Sequence, residues 1–124
     1  MSEKQKKILI IDDDSRNIFA LQLTLKARNY EFKSCLTASE GLDALKQDGD
    51  IGLVLLDMMM AEMDGYETIE IIRSTEAFRH VPVIAVTANA MTGDREKCME
   101  AGANGYISKP IDVDRLLNMI EKWL

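Results

Sequence analysis

The strongest constraint in this chain is that its short apolar runs stop abruptly at polar residues. Lys7–Ile11 stops at Asp12, Asp13 and Asp14, Ile51–Leu56 at Asp57, Val81–Val86 at Thr87, and Tyr106-Ile107-Ser108 at Lys109-Pro110. The two central runs are apolar throughout, as strands covered on both faces must be, and such strands belong to parallel sheets. Between the runs the period changes to three and four. Ile18, Leu21 and Leu25 follow Ser15 at helical spacing, with Asp14 or Ser15 placed to cap the start. Tyr30, Phe32, Ser34 and Leu36 alternate with Glu31, Lys33 and Cys35, which predicts an edge strand with charge on one face. Thr37-Ala38-Ser39-Glu40 is a capping box ahead of Leu42 and Leu45, and Asp48-Gly49-Asp50 ends that helix. Asp64 and Glu67 flank the start of a helix carrying Ile69 and Ile72. Met91–Ala101 reads as a polar helix with little apolar stripe, closed by Gly102. Val113, Leu116, Leu117, Ile120 and Leu124 form the cleanest amphipathic helix. The pattern is (βα)5, an α/β chain with a doubly wound parallel sheet, and right-handed crossovers leave few strand orders open.

The chain has 124 residues, the size of one domain, with residues 1–6 as a short polar tail. Fifteen basic against twenty-one acidic side chains give a net charge of −6, which argues against non-specific binding to a nucleic-acid backbone. No apolar run approaches the roughly 18 residues of a membrane helix. Lys4, Lys6 and Lys7 are followed by only four apolar residues, too few for a secretory h-region. Cys35 and Cys98 show no metal-ligand spacing and read as reduced thiols. The expectation is a cytoplasmic single domain over 1–124 that engages neither membrane nor nucleic acid.

In a parallel sheet the residues just past the strand ends share one edge, where ligands bind in such folds. That edge collects Asp12, Asp13, Asp57, Thr87 and Lys109. Like charges about 4 Å apart repel by about 4 kcal/mol at an effective dielectric near 20. Three carboxylates with one lysine therefore call for a divalent cation, and hard oxygen ligands suit Mg2+. No His/Cys cluster offers a zinc site, and the lone His80 reads as solvated surface. Carboxylates, Mg2+, a lysine and a hydroxyl together are equipment for forming an aspartyl phosphate. Asp14, Asp64 and Asp112 read instead as helix caps.

The segments Ile10-Ile11-Asp12-Asp13, Leu56-Asp57 with Met63-Asp64-Gly65, Val86-Thr87-Ala88, and Lys109-Pro110 closely resemble the response-regulator receiver domain, in order and spacing, over essentially the whole chain. The stretch Thr87–Lys109, with Gly93-Asp94-Arg95, looks most like receivers of hybrid sensor kinases and phosphorelays. The resemblance implies the flavodoxin-like strand order 2-1-3-4-5. It also implies that Asp57 accepts a phosphoryl group from a phosphohistidine on a sensor histidine kinase or histidine phosphotransfer protein. Asp13, Asp57 and the Met59 backbone carbonyl would then ligate Mg2+, with Asp12 acting through water. Lys109 would pair with the phosphoryl group, Thr87 would donate its hydroxyl, and Tyr106 would be an aromatic switch. A cis Lys109–Pro110 peptide is expected, at a cost of only about 0.5–1 kcal/mol for an X–Pro bond. The output surface would be the loosely held polar helix, the last strand and the last helix.

Two departures from the family pattern stand out. Ala61 replaces the usual proline, which suggests a more mobile loop after Asp57. Met59 and Asn89 occupy the positions that tune loss of the phosphoryl group, and Met59 offers no side chain to orient water, so slow loss is expected. Met60 and Met63 read as core filling. A haloacid-dehalogenase-type phosphatase is a competing reading, but Arg16 occupies its expected Thr/Val position and 124 residues leave no room for a later acidic motif or cap. A flavodoxin fails because the first strand ends in acids where a flavin phosphate needs backbone donors. A receiver-shaped module that is never phosphorylated is the third alternative. With no residues left over for an output domain, the reading is a stand-alone receiver or a piece of a larger protein.

Overall fold

A computed structural model describes residues 6–60, 63–88 and 93–124. The strands are β1 (Lys7–Ile11), β2 (Phe32–Cys35), β3 (Ile51–Asp57), β4 (Val83–Thr87) and β5 (Gly105–Ser108). They alternate with α1 (Ser15–Ala27), α2 (Ala38–Gln47), α3 (Gly65–Ser74), α4 (Asp94–Ala101) and α5 (Val113–Trp123). All strand pairings are parallel, and the sheet order is β2-β1-β3-β4-β5, the flavodoxin-like doubly wound arrangement expected from the sequence.

Alternation along each strand divides the core into two layers. Leu9, Ile11, Val54, Leu56, Val83 and Ala85 face one layer, closed by Leu42 and Leu45 of α2 and Ile69 and Ile72 of α3. Ile8, Ile10, Leu53, Leu55, Ile84 and Val86 face the other, closed by Ile18, Leu21 and Leu25 of α1 and Leu116, Leu117 and Ile120 of α5. This double coverage is why β3 and β4 carry no charged or hydroxyl side chain before their last position.

Helix starts follow their capping chemistry. Asp14, Asp64 and Asp112 each accept a backbone N–H in the first turn of the helix they precede, as their sequence positions suggest. Thr37 accepts the Glu40 N–H, opening α2. Gly93 caps α4 with φ 93°, a left-handed conformation that glycine adopts without steric cost. The helix thus begins at Asp94, three residues after the expected start; Met91 lies outside the described residues. Gly102, at φ 118°, closes it as expected.

Two pattern readings are corrected. On β2 the inward residues are not the expected alternating set: Cys35 is buried, Phe32 is half-buried, and Leu36 is 48% exposed. An edge strand of four residues bends out before its alternation can continue. Val113 is 46% exposed even though it falls on the apolar periodicity of α5, because it occupies the first turn, beyond the sheet's cover. Met60 is buried and Met63 packs against the core, consistent with filling roles. Ala61 and its expected loop mobility lie outside the described residues.

Candidate functional site

The strand ends bring the expected polar residues to one edge. Asp12 directly follows β1, and its N–H donates to the Cys35 carbonyl at 3.1 Å, which ties the strand end to β2. Asp57 is the last residue of β3, and Thr87 the last of β4. The Lys109 N–H donates to the Thr87 carbonyl at 2.7 Å, extending the β4–β5 register by one residue and bringing the lysine to the same edge. The Lys109–Pro110 peptide is cis.

Asp12 is 2% exposed, Asp57 4% and Thr87 2%, whereas Asp13 is exposed. Asp12, Asp13 and Asp57 each offer a carboxylate oxygen, and all three oxygens lie within 4.8 Å of one another. Lys109 Nζ sits 3.8 Å from Asp12 Oδ2 and 3.8 Å from Asp57 Oδ2. At that distance it is an ion-pair partner shared between two acids rather than a hydrogen-bond donor to either.

The two buried carboxylates are held differently. Asp57 Oδ1 accepts the Met59 N–H at 3.0 Å, and Oδ2 faces Lys109. Asp12 Oδ1 accepts the Asp14 N–H at 2.9 Å, while Oδ2 accepts the Asn17 side-chain amide and also faces Lys109. Burial pushes the Asp57 carboxyl above its ordinary pKa, and the nearby Asp12 charge adds to the rise. The Met59 N–H and the Lys109 charge oppose it without reversing it. Lys109 thus offsets only part of what burial and the neighbouring acid impose on the ionised Asp57. Hard, closely spaced oxygens with a deficit of positive charge fit a small divalent cation such as Mg2+.

Met59 itself is 65% exposed, so only its backbone turns toward Asp57. Its neighbour Met58 is buried, and the chain runs so close to the start of α3 that a Cβ on Gly65 would lie 2.7 Å from the Met58 Cα. Glycine at that position lets the helix approach the loop carrying Asp57. Asn89, the other position expected to tune phosphoryl loss, lies outside the described residues.

Tyr106 is half-buried against the layer under α2 and α3, and its hydroxyl donates to Asp94 Oδ2 at 3.1 Å. Asp94 Oδ1 accepts the Tyr66 hydroxyl at 2.7 Å, so one carboxylate in the first turn of α4 joins α3 and β5. That carboxylate raises the pKa of both phenols; it is the largest cause for Tyr66, whereas burial leads for Tyr106. Neither Tyr66, Asp94 nor Asn17 stands out in the sequence as a functional candidate. The available signal was position alone, since each lies in the first turn of a helix that follows a strand end.

Beside this edge a groove of about 310 Å³ runs between α1 and α5. Asn17 and Lys109 line its inner end, and Ala20, Leu21, Ile111 and Val113 its apolar part. Phe19 and Leu23 of α1 are 52% and 59% exposed. Among the described residues no helix is long and apolar enough to cross a membrane.

A doubly wound parallel sheet whose ligand edge carries three acids, a lysine and a buried threonine belongs to the class of phosphoryl-responsive α/β domains. The response regulator receiver domain model matches residues 8–121, and the chain belongs to that family. It is 36% identical over 119 residues to the polar-differentiation response regulator DivK of Brucella ovis, covering 96% of each chain. A CheY-like receiver domain protein from Methanospirillum hungatei superposes with a TM-score of 0.86 at 30% identity, covering 96% of this chain and 93% of the other. The receiver domain of a sensor histidine kinase from Pseudomonas aeruginosa, with a magnesium ion coordinated in its active-site cleft, superposes with a TM-score of 0.87 at 30% identity, covering 97% and 98%. The chain is therefore a phosphorylation-dependent signalling module of two-component systems, a switch rather than a turnover enzyme. Receiver domains bind Mg2+ in an acidic pocket and interact with histidine kinases or phosphotransfer proteins.

Proposed function

We propose that Asp57 is the phosphoacceptor and that an N-phosphorylated histidine of a sensor kinase or phosphotransfer protein is its donor. The observation that carries this reading is the convergence of three carboxylates within 4.8 Å, with a single lysine shared between two of them. An Asp57 carboxylate oxygen attacks phosphorus; the P–O bond forms as the P–N bond breaks, and the histidine nitrogen keeps the electron pair. Asp13, Asp57 and the Met59 carbonyl would hold Mg2+, with Asp12 acting through water. Mg2+ supplies positive charge for the carboxylates and for the transferred phosphoryl oxygens. Lys109 follows the charge from the acids to the phosphoryl group, and the Thr87 hydroxyl donates to it. Met59, with its side chain in solvent, leaves no polar group over the aspartyl phosphate, which favours slow loss; Asn89 is the second tuning position.

The groove between α1 and α5 supports a protein donor, because its apolar wall ends at Lys109 beside Asp57. Output runs through α4, β5 and α5. Tyr106 is the switch: engagement of Thr87 by the phosphoryl group draws on the space beside Tyr106, and release of Tyr106 from Asp94 frees the start of α4. The receiver unit occupies residues 1–124 of this sequence, with 1–6 a polar tail, and engages neither nucleic acid nor membrane. Its buried free thiols, Cys35 and Cys98, suit a cytoplasmic setting.

Intact mass after incubation with a small phosphodonor, with and without Mg2+, tests the chemistry on the native chain and on Asp57→Asn. One added phosphoryl group that requires both Mg2+ and Asp57 is the expected result. Continuous phosphate release with no added mass would point to a haloacid-dehalogenase-type phosphatase. No reaction at all would point to an unphosphorylated interaction module.

A further inference from the structure

We propose that Asn17 is a positioning residue for the acidic site: its side-chain amide fixes the Asp12 carboxylate and thereby sets the affinity of the pocket for a divalent cation. This rests on the reading of the pocket as a Mg2+ site given above.

Three observations support it. Asp12 is 2% exposed and has both carboxylate oxygens engaged, Oδ1 by the Asp14 N–H and Oδ2 by the Asn17 amide. The oxygen that Asn17 holds is also the one that lies 3.8 Å from Lys109 Nζ. Among the described residues, Asp57 takes the Met59 N–H on Oδ1, and its other oxygen lies 3.8 Å from Lys109 Nζ. Without Asn17, Asp12 would keep one tether and could rotate about it, toward Lys109 or away from the other two acids. The amide dipole also offers a partial positive charge to a cluster in which Asp12 and Asp57 share the Lys109 ammonium. Hydrogen-bonded partners of this kind orient metal-facing carboxylates, and their loss typically weakens metal affinity by about 10–100-fold.

Asn17 is suited to the task by its place in the fold. It lies in the first turn of α1, whose start is set by the Asp14 cap, so its amide returns to the β1 end from the helix rather than from the loop. Asn17 itself is half-buried, whereas Asp13 is exposed.

Calorimetric titration with Mg2+ tests the proposal on the wild-type chain, Asn17→Ala, Asp12→Ala and the double variant. Asn17→Ala should weaken Mg2+ binding by about 10-fold. The same substitution should have no further effect in the Asp12→Ala background, because the amide acts through that carboxylate. Thermal melts in chelator show which variants retain the fold; if Asn17→Ala does not, Asn17→Leu, similar in volume but lacking the donor, takes its place. Unchanged affinity in the single variant, or an equal loss with and without Asp12, would overturn the proposal. Absence of Mg2+ binding to the wild-type chain would overturn it together with the reading of the pocket. Mg2+ binding that behaves as expected, without phosphorylation of Asp57, would remove the phosphoacceptor assignment and leave the role of Asn17 standing.

Discussion

α4 and α5 flank the same strand and are held by opposite means. α5 buries Leu116, Leu117 and Ile120 in the layer it shares with α1, and Asp112 caps its start. Of the eight residues of α4, all among those described, only Cys98 is buried, and no side chain caps its start. Polar contacts at its two ends hold α4 instead. Tyr66 and Tyr106 grip Asp94 at the start. At the other end Arg73 Nε donates to the Gly102 carbonyl at 2.9 Å, just past the last turn. Apolar burial is non-directional and hard to undo locally, whereas a few hydrogen bonds can be exchanged for others at little net cost. An element held in the second way can change position while the first stays fixed, which is what a switch requires.

Breaking the stronger side of this comparison has the largest expected effect. Leu116→Ala removes a fully buried side chain, so unfolding free energy measured in urea should fall by about 2–5 kcal/mol. Hydrogen exchange should then rise across the whole sheet, not in α5 alone. Arg73→Ala comes next. The guanidinium donates to the carbonyls of Arg79, Val81 and Gly102 and to the Asn104 side chain, whose oxygen also accepts the Val83 N–H. Leaving part-buried acceptors without a donor typically costs about 1–3 kcal/mol each, softened where water can enter. We expect a total loss of about 2 kcal/mol, well below the sum, because Asn104 keeps the Val83 N–H and the Arg79 contact is exposed. Exchange should quicken most at the end of α4 and the start of β5. An even increase over the molecule would show that Arg73 supports the core rather than the helix end.

The same contrast explains what was legible in the sequence. Apolar runs ending in acids disclosed the sheet, because burial on both faces leaves a direct imprint on composition. Asp12, Asp13, Asp57, Thr87 and Lys109 were legible as a group because a parallel sheet carries every strand end to one edge. Asp14, Asp64 and Asp112 were legible as caps because capping depends on near neighbours. Contacts made by folding alone left no such imprint. Arg73 reaches Gly102 across 29 positions, and Tyr66 reaches Asp94 across 28. Val113 failed in the other direction: it keeps the helical period of α5 but falls where the sheet no longer covers it. Leu36 failed likewise at the end of β2.

A smaller effect should follow from loosening the start of α4. Asp94→Ala removes the shared acceptor of both phenols, and Tyr66→Phe removes one donor. Each should cost about 1 kcal/mol or less in global stability, as for a partly exposed hydrogen bond. Amide exchange in α4 should nevertheless quicken several-fold while that in α5 is unchanged. Equal quickening in both helices would erase the distinction between them.

The acidic edge extends the comparison to a region whose own charges oppose its folding, and it predicts the smallest effect, of opposite sign. Asp57 has its pKa raised, chiefly by burial. A carboxyl that binds its proton more tightly in the folded chain than in the unfolded one favours folding while it is protonated. That contribution is fully present below the unfolded value, about 3.9, and is lost as pH rises through the folded value. Asp57→Asn carries no charge at any pH. In chelator at pH 7 the variant should therefore melt at a higher temperature than the native chain, and the gap should shrink as pH falls toward about 4. Adding Mg2+ should narrow the gap at pH 7 from the other side, because a ligand that binds only the folded native site raises its melting temperature. A gap independent of pH would mean that the substitution acts through packing, and the edge would then differ from α4 and α5 in composition but not in how it is held.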